Sequence, residues 1–201
     1  MDNAYFPEGR TVRRDRFAFI AAALLGVAAA FMSLFLRIAA VSGVFGQDIA
    51  DLSPLFVIAG AVSAAGALGM SVTVMAARGG KIPSSFMFIG AGLICAGCLL
   101  DAVFYVMRRG SFHMSVQTLY FVMAIALLLT LAAALYSERG VLKALIASSA
   151  LSVVALIAAF IPLFTGNAVW QDVLYALPAP LSFGVTALVC AGFLGENDGK
   201  D

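Results

Sequence analysis

A chain of 201 residues in which 63% are hydrophobic and only 11% charged is too apolar for a water-soluble domain, where about 45–50% and about 25% are usual. Its formal net charge of +1, with no basic or acidic block, leaves no electrostatic basis for binding nucleic acid. The medium that fits is lipid, and in lipid a chain without strand patterning has to be an all-α, polytopic helix bundle.

The opening stretch, residues 1–16, is polar, broken by Pro7 and Gly9, and rich in arginine at Arg10, Arg13, Arg14 and Arg16. It reads as a cytoplasmic lead. From Phe17 to Leu36 there are twenty consecutive uncharged residues, enough at about 1.5 Å per residue to cross a hydrocarbon layer of about 30 Å before Arg37 closes the run. A secretory signal cleaved near Ala28 to Ala30 is the rival reading, and the run's continuation past Ala30 without a polar break argues against it. Beyond Arg37 the chain stays apolar to Gln47, so the first helix overshoots the bilayer or bends at Gly43 or Gly46.

Five more apolar runs follow, giving spans at about 17–37, 54–77, 83–107, 116–136, 141–164 and 173–194, with 195–201 as a polar cytoplasmic tail. The connection Ser137 to Gly140 is four residues long, which suffices for antiparallel neighbours. Six spans put both ends on one side. With the N-terminus inside, nine Lys and Arg lie inside and three (Arg37, Arg108 and Arg109) outside. The positive-inside bias therefore favours cytoplasmic termini, and the Arg108–Arg109 pair is the one dissenting feature. A bacterial-type plasma membrane suits this pattern.

Within the spans the polar residues are few. Asp101 is the only acidic residue inside one. It lies twenty residues above Lys81 and Arg37 lies twenty-one above Arg16, so at about 1.5 Å per residue both reach a similar depth near the outer edge. Two readings stand: separate side chains that snorkel to water, or an Arg37–Asp101 pair joining spans one and three. Narrow stripes support an inward face for these groups. Gly26, Ala30, Ser33 and Arg37 line up on span one, Cys95, Cys98, Asp101 and Tyr105 on span three, and Tyr175, Pro178, Ser182, Thr186 and Cys190 on span six.

Small residues at four-residue spacing suggest close helix packing at Ala61, Ala65 and Gly69, at Gly92 and Ala96, and at Ser148 and Ser152. Span two, small on nearly all sides, is expected at the centre of the bundle. Pro178 and Pro180 remove backbone donors near the outer end of span six and should kink or unwind it. An outward-facing cavity lined by Tyr105, His113, Tyr175, Pro178, Pro180 and Ser182 is one expectation from this cluster. Trp170, Tyr105, Tyr120, Tyr175 and Tyr136 fall near span ends and read as an interfacial belt.

No catalytic arrangement is visible. Cys95, Cys98 and Cys190 lack a neighbouring His and read as packing residues, so no metal site is expected. No phosphate-cradling Gly loop is present, and Lys81 and Lys143 sit at span ends rather than inside. The functional expectation is a non-enzymatic membrane subunit or anchor of a larger complex, with lipid and other protein subunits as partners. No cofactor is evident, although a quinone headgroup could meet Arg37 and Asp101 in such a subunit. The alternative is a small permease or channel-like transporter, and the plainest reading is a bundle whose charged pair serves assembly only.

Overall fold

The computed structural model describes residues 16–43, 53–76, 84–107, 111–134, 138–166 and 170–194, and within them every regular element is helical. Six helices are long and apolar enough to cross a membrane. Seven helices carry them: α1 (Arg16–Val41), α2 (Ser53–Ala76), α3 (Ser84–Met107), α4 (Ser111–Ala134), α5 (Glu138–Phe164), α6 (Trp170–Ala176) and α7 (Pro178–Leu194).

The extra helix arises because the sixth span is interrupted at Leu177. Pro178 then occupies the first position of α7, where its missing N–H would have had no partner anyway. Backbone bonds continue across the break, from Leu177 N to Val173 O and from Leu181 N to Leu177 O. The result is a kink that keeps the span together. Helix α1 overshoots Arg37 by one turn and ends at Val41, and in the turn that follows Gly43 has a positive φ of 78°, which suits the residue without a Cβ. The bend expected at Gly46 lies outside the described residues. At the start of α5 the expected tight connection is partly helix, since Glu138 to Gly140 already belong to it.

The helices form a ring in which each packs on the next in sequence and α7 returns to α1. Antiparallel register between α1 and α2 follows from Arg37 bonding Phe56 and Ser33 bonding Gly60. Between α2 and α3 it follows from Gly66 meeting Ile94 and from Met70 meeting Gly90. Span two is not the centre. Helix α7 leans inward and also touches α2, α3 and α4, and 67% of the 18-residue apolar window of the sixth span is buried against 44% of that of the second. A helix that is small all round has no phase, so it marks no preferred face and need not lie innermost.

One core cluster runs through the bundle, with Met70, Ile94, Tyr120, Leu127, Phe183, Val185 and Val189 among its fully buried members. A second gathers Ala40, Phe56, Phe104, Tyr105 and Tyr175 at the end of the bundle where Arg37 and Asp101 lie. A third is an alanine seam of Ala29, Ala30, Ala64 and Ala67 between α1 and α2. The outer surface of α1 shows Phe17, Leu24, Phe31 and Phe35, and that of α5 shows Ile146, Val153 and Ile157. Large apolar side chains on the outside suit a lipid solvent.

Candidate functional site

The site is built on α1 and α3 with α2 between them. Arg37 is 2% exposed and Asp101 6%. The guanidinium meets the carboxylate as a fork: Arg37 Nη1 donates to Asp101 Oδ1, and Nη2 donates to Oδ2 at 2.7 Å. Planarity and paired donors suit arginine for this two-bond geometry. Nη1 also donates to the Phe56 carbonyl at 3.1 Å, drawing α2 into the contact.

Phe56 then covers the pair. The guanidinium carbon lies 4.7 Å from its ring centroid, close enough for a cation–π contact. The same ring stacks on Phe104 at 4.7 Å and takes the edge of Tyr175 at 5.4 Å, and Phe104 in turn takes the edge of Tyr105 at 5.1 Å. Two charges are thus embedded in an aromatic cluster contributed by α2, α3 and α6. Such a pair is held in place by its environment, because separating the ions there would strand one of them.

Helix α2 can pass this close because residue 60 is glycine. A Cβ there would meet the Arg37 side chain and stand 2.6 Å from the Ser33 carbonyl oxygen. Ser33 Oγ in turn donates to Gly60 O at 3.0 Å. Arg37 Nε is packed in the same region and is buried with no hydrogen-bond partner.

All three polar stripes expected from sequence point inward: Gly26, Ala30, Ser33 and Arg37, then Cys98, Asp101 and Tyr105 with Cys95 half-buried, then Tyr175, Pro178, Ser182, Thr186 and Cys190. The expected cavity has a different outcome. Tyr105 and Tyr175 belong to the aromatic packing, and Pro178, Pro180 and Ser182 are buried in α7, where Ser182 Oγ donates to Pro178 O at 2.8 Å. The backbone of His113 is in α4, but its side chain lies outside the described residues. A small crevice does exist at this end, with Gln117, Pro162 and Asp172 in its lining and none of the expected residues.

Of the small-residue pairs, Ser148 and Ser152 serve contacts inside the chain: Ser148 is fully buried on α5, and Ser152 Oγ donates to Pro180 O on α7 at 2.8 Å. Ala61, Ala65 and Ala96 are exposed, and Gly92 has nothing within 4 Å of where its Cβ would stand. Gly69 is half-buried with Gly90 of α3 beside it. The close approaches occur one helix face away, at Gly60, Gly66, Gly90 and Gly97. Four-residue spacing could not select between these faces, because nearly every position of α2 from 59 to 67 is small.

The expected aromatic belt also needs revision. Trp170 is exposed, whereas Tyr105, Tyr120 and Tyr175 are buried, and Tyr136 lies outside the described residues. Tyr120 Oη donates to Ala155 O at 2.9 Å, so its polar tip is satisfied by α5 instead of by an interface. Cys98 and Cys190 are buried and Cys95 half-buried, all as free thiols. No group of three His, Cys, Asp or Glu able to hold a metal occurs among the described residues. Sequence reasoning missed Phe56 and Gly60, whose roles come from a neighbouring helix and carry no signal of their own. Comparison with family models, curated proteins and solved structures finds no match to this chain.

Proposed function

We propose that the chain is a multi-pass integral membrane protein with six spans and cytosolic ends, working as a non-enzymatic membrane subunit or anchor of a larger complex. The observation that carries this reading is that polar groups at depth are turned on one another. Arg37 and Asp101 bind each other, Ser33 binds Gly60, Tyr120 binds Ala155, Ser152 binds Pro180, and Ser148, Ser182 and Thr186 bond within their own helices. A bundle so committed internally offers its outer surfaces for function. The outer surface carries Ala61 and Ala65 on α2 and Ala96 on α3, with Gly92 of α3 half-buried, and small residues let a further helix approach closely in lipid. We assign no quinone to the Arg37–Asp101 pair, in which both terminal guanidinium nitrogens and both carboxylate oxygens are bonded to each other.

The test is site-directed crosslinking in the native membrane. A photoreactive side chain at Ala65 or Ala96 should give one discrete protein adduct, and the same group at Ile146 on the outer surface of α5 should give lipid adducts only. Lipid adducts at all three positions, with a monomeric purified protein, would overturn the subunit reading.

The permease reading keeps one observation in its favour, the kink at Leu177 beside the buried ion pair. Flux into proteoliposomes that is lost in Asp101→Asn without loss of folding would favour it.

A further inference from the structure

The two parts of the sixth span, α6 and α7, are held in different ways. Pro178 and Pro180 have no N–H, so the carbonyls of Leu174 and Ala176, four residues back, lose their helical donors. The bonds from Leu177 N to Val173 O at 3.1 Å and from Leu181 N to Leu177 O at 3.2 Å carry the chain across the gap. Bending costs least where rungs of the ladder are already missing, and hinges fall at element ends of this kind.

On one side of the break α7 is fixed. Ser152 Oγ of α5 donates to Pro180 O at 2.8 Å, and a Cβ at Gly184 would stand 3.3 Å from both Leu25 of α1 and Ser152. On the other side α6 has seven residues, and its Tyr175 and Trp170 meet Phe56 and Phe160 edge-on at 5.4 Å and 6.2 Å. Aromatic contacts can part and reform without leaving a polar group behind, whereas pulling Ser152 from Pro180 O would strand both in lipid.

The ion pair beneath Phe56 adds a reason for opening. Arg37 Nε is buried with no hydrogen-bond partner among the described residues, and an unpaired buried donor is a cost of the closed arrangement that water would remove. We infer that α6 is a lid hinged across residues 177–180, which swings Tyr175 off Phe56 and admits water to the Arg37–Asp101 pair while α7 stays docked. The inference is independent of the subunit and permease readings, because it concerns the motion of one helix in the purified chain.

Two buried alanines of α1 provide the test. Ala40 packs in the cluster with Tyr175, Ala22 lies in the other half of α1, and both are 0% exposed. Ala40→Cys and Ala22→Cys are made in full chains that also carry Cys95→Ala, Cys98→Ala and Cys190→Ala, and their rates of reaction with a small water-soluble thiol reagent are measured in detergent. Local opening at the lid should make Ala40→Cys react at least about tenfold faster than Ala22→Cys. Adding Pro178→Ala and Pro180→Ala, which return N–H donors to Leu174 O and Ala176 O, should slow Ala40→Cys by about tenfold or more and leave Ala22→Cys unchanged. Leu177→Gly, which loosens the same joint, should speed Ala40→Cys and serves where the proline variant does not fold. Equal rates at the two positions would mean that the bundle opens as a whole, and a rate at Ala40→Cys that ignores the hinge substitutions would mean that the cluster opens elsewhere. Either result would overturn the lid.

Discussion

At the scale of single residues the Arg37–Asp101 pair outweighs the other polar contacts. An interhelical hydrogen bond in a membrane protein averages about 0.6 kcal/mol, so Ser33→Ala should cost less than about 1 kcal/mol. Removing one member of a buried ion pair typically costs about 3–5 kcal/mol, because its partner stays buried and uncompensated. Arg37→Leu and Asp101→Leu should each destabilise by that order in denaturant unfolding from mixed micelles. The double variant should recover most of the loss, since apolar replacement of a whole pair is often neutral. Additive losses would show that the two residues are not coupled. The sequence supplied the two residues and their shared depth. It left snorkelling and pairing both open, since depth along two helices says nothing about whether their faces meet.

At the scale of helices, glycine decides how near α2 comes to its neighbours. A Cβ at Gly60 would crowd both the Ser33 carbonyl and Arg37, and one at Gly97 would stand 3.0 Å from the Ser63 amide nitrogen. Gly60→Ala should therefore destabilise by about 1–3 kcal/mol, the usual cost of overpacking, and should shift Arg37 off Asp101. Gly92→Ala has open space around it, and removing a helix-interior glycine should leave stability unchanged or raise it by up to about 1 kcal/mol. Thermal unfolding of the two variants side by side checks both, and equal losses would mean that the Gly92 face is packed after all. The six apolar stretches were legible because length and hydropathy are local properties. The face that each small residue occupies was not, because in α2 small residues surround the axis and only the contacts with α1 and α3 distinguish them.

At the scale of the whole molecule, orientation rests on charge. On the proposed orientation, which puts nine Lys and Arg on the side of the termini and three on the other, the turn around residues 108–113 lies outside. In a variant lacking Cys95, Cys98 and Cys190, a cysteine introduced at His113 should react with an impermeant thiol reagent applied to intact cells. Reaction only after the cells are opened would reverse the threading and place the ion pair and the α4–α5–α6 crevice at the cytosolic rim. Within the bundle, the most buried stretch is the sixth span, which returns to α1 and touches most of the ring. Its kink at Leu177 brings Tyr175 onto Phe56 above the Arg37 guanidinium, so the interruption in one span helps seal a site made by three others.

By itself the sequence determined the apolar composition, the six stretches long enough to cross a bilayer, the asymmetry of positive charge and the inward stripes of polar residues. These follow from composition and helical period, which each segment carries on its own. Tertiary structure alone decided that Arg37 meets Asp101 under Phe56, that Ala61, Ala65 and Ala96 face outward, that the kinked sixth span is the most buried, and that the crevice lies at Asp172 and Gln117. The physical reason is common to all four: each depends on the rotation of one helix against another, and in a chain this uniformly apolar that rotation is set by which side chains fit together.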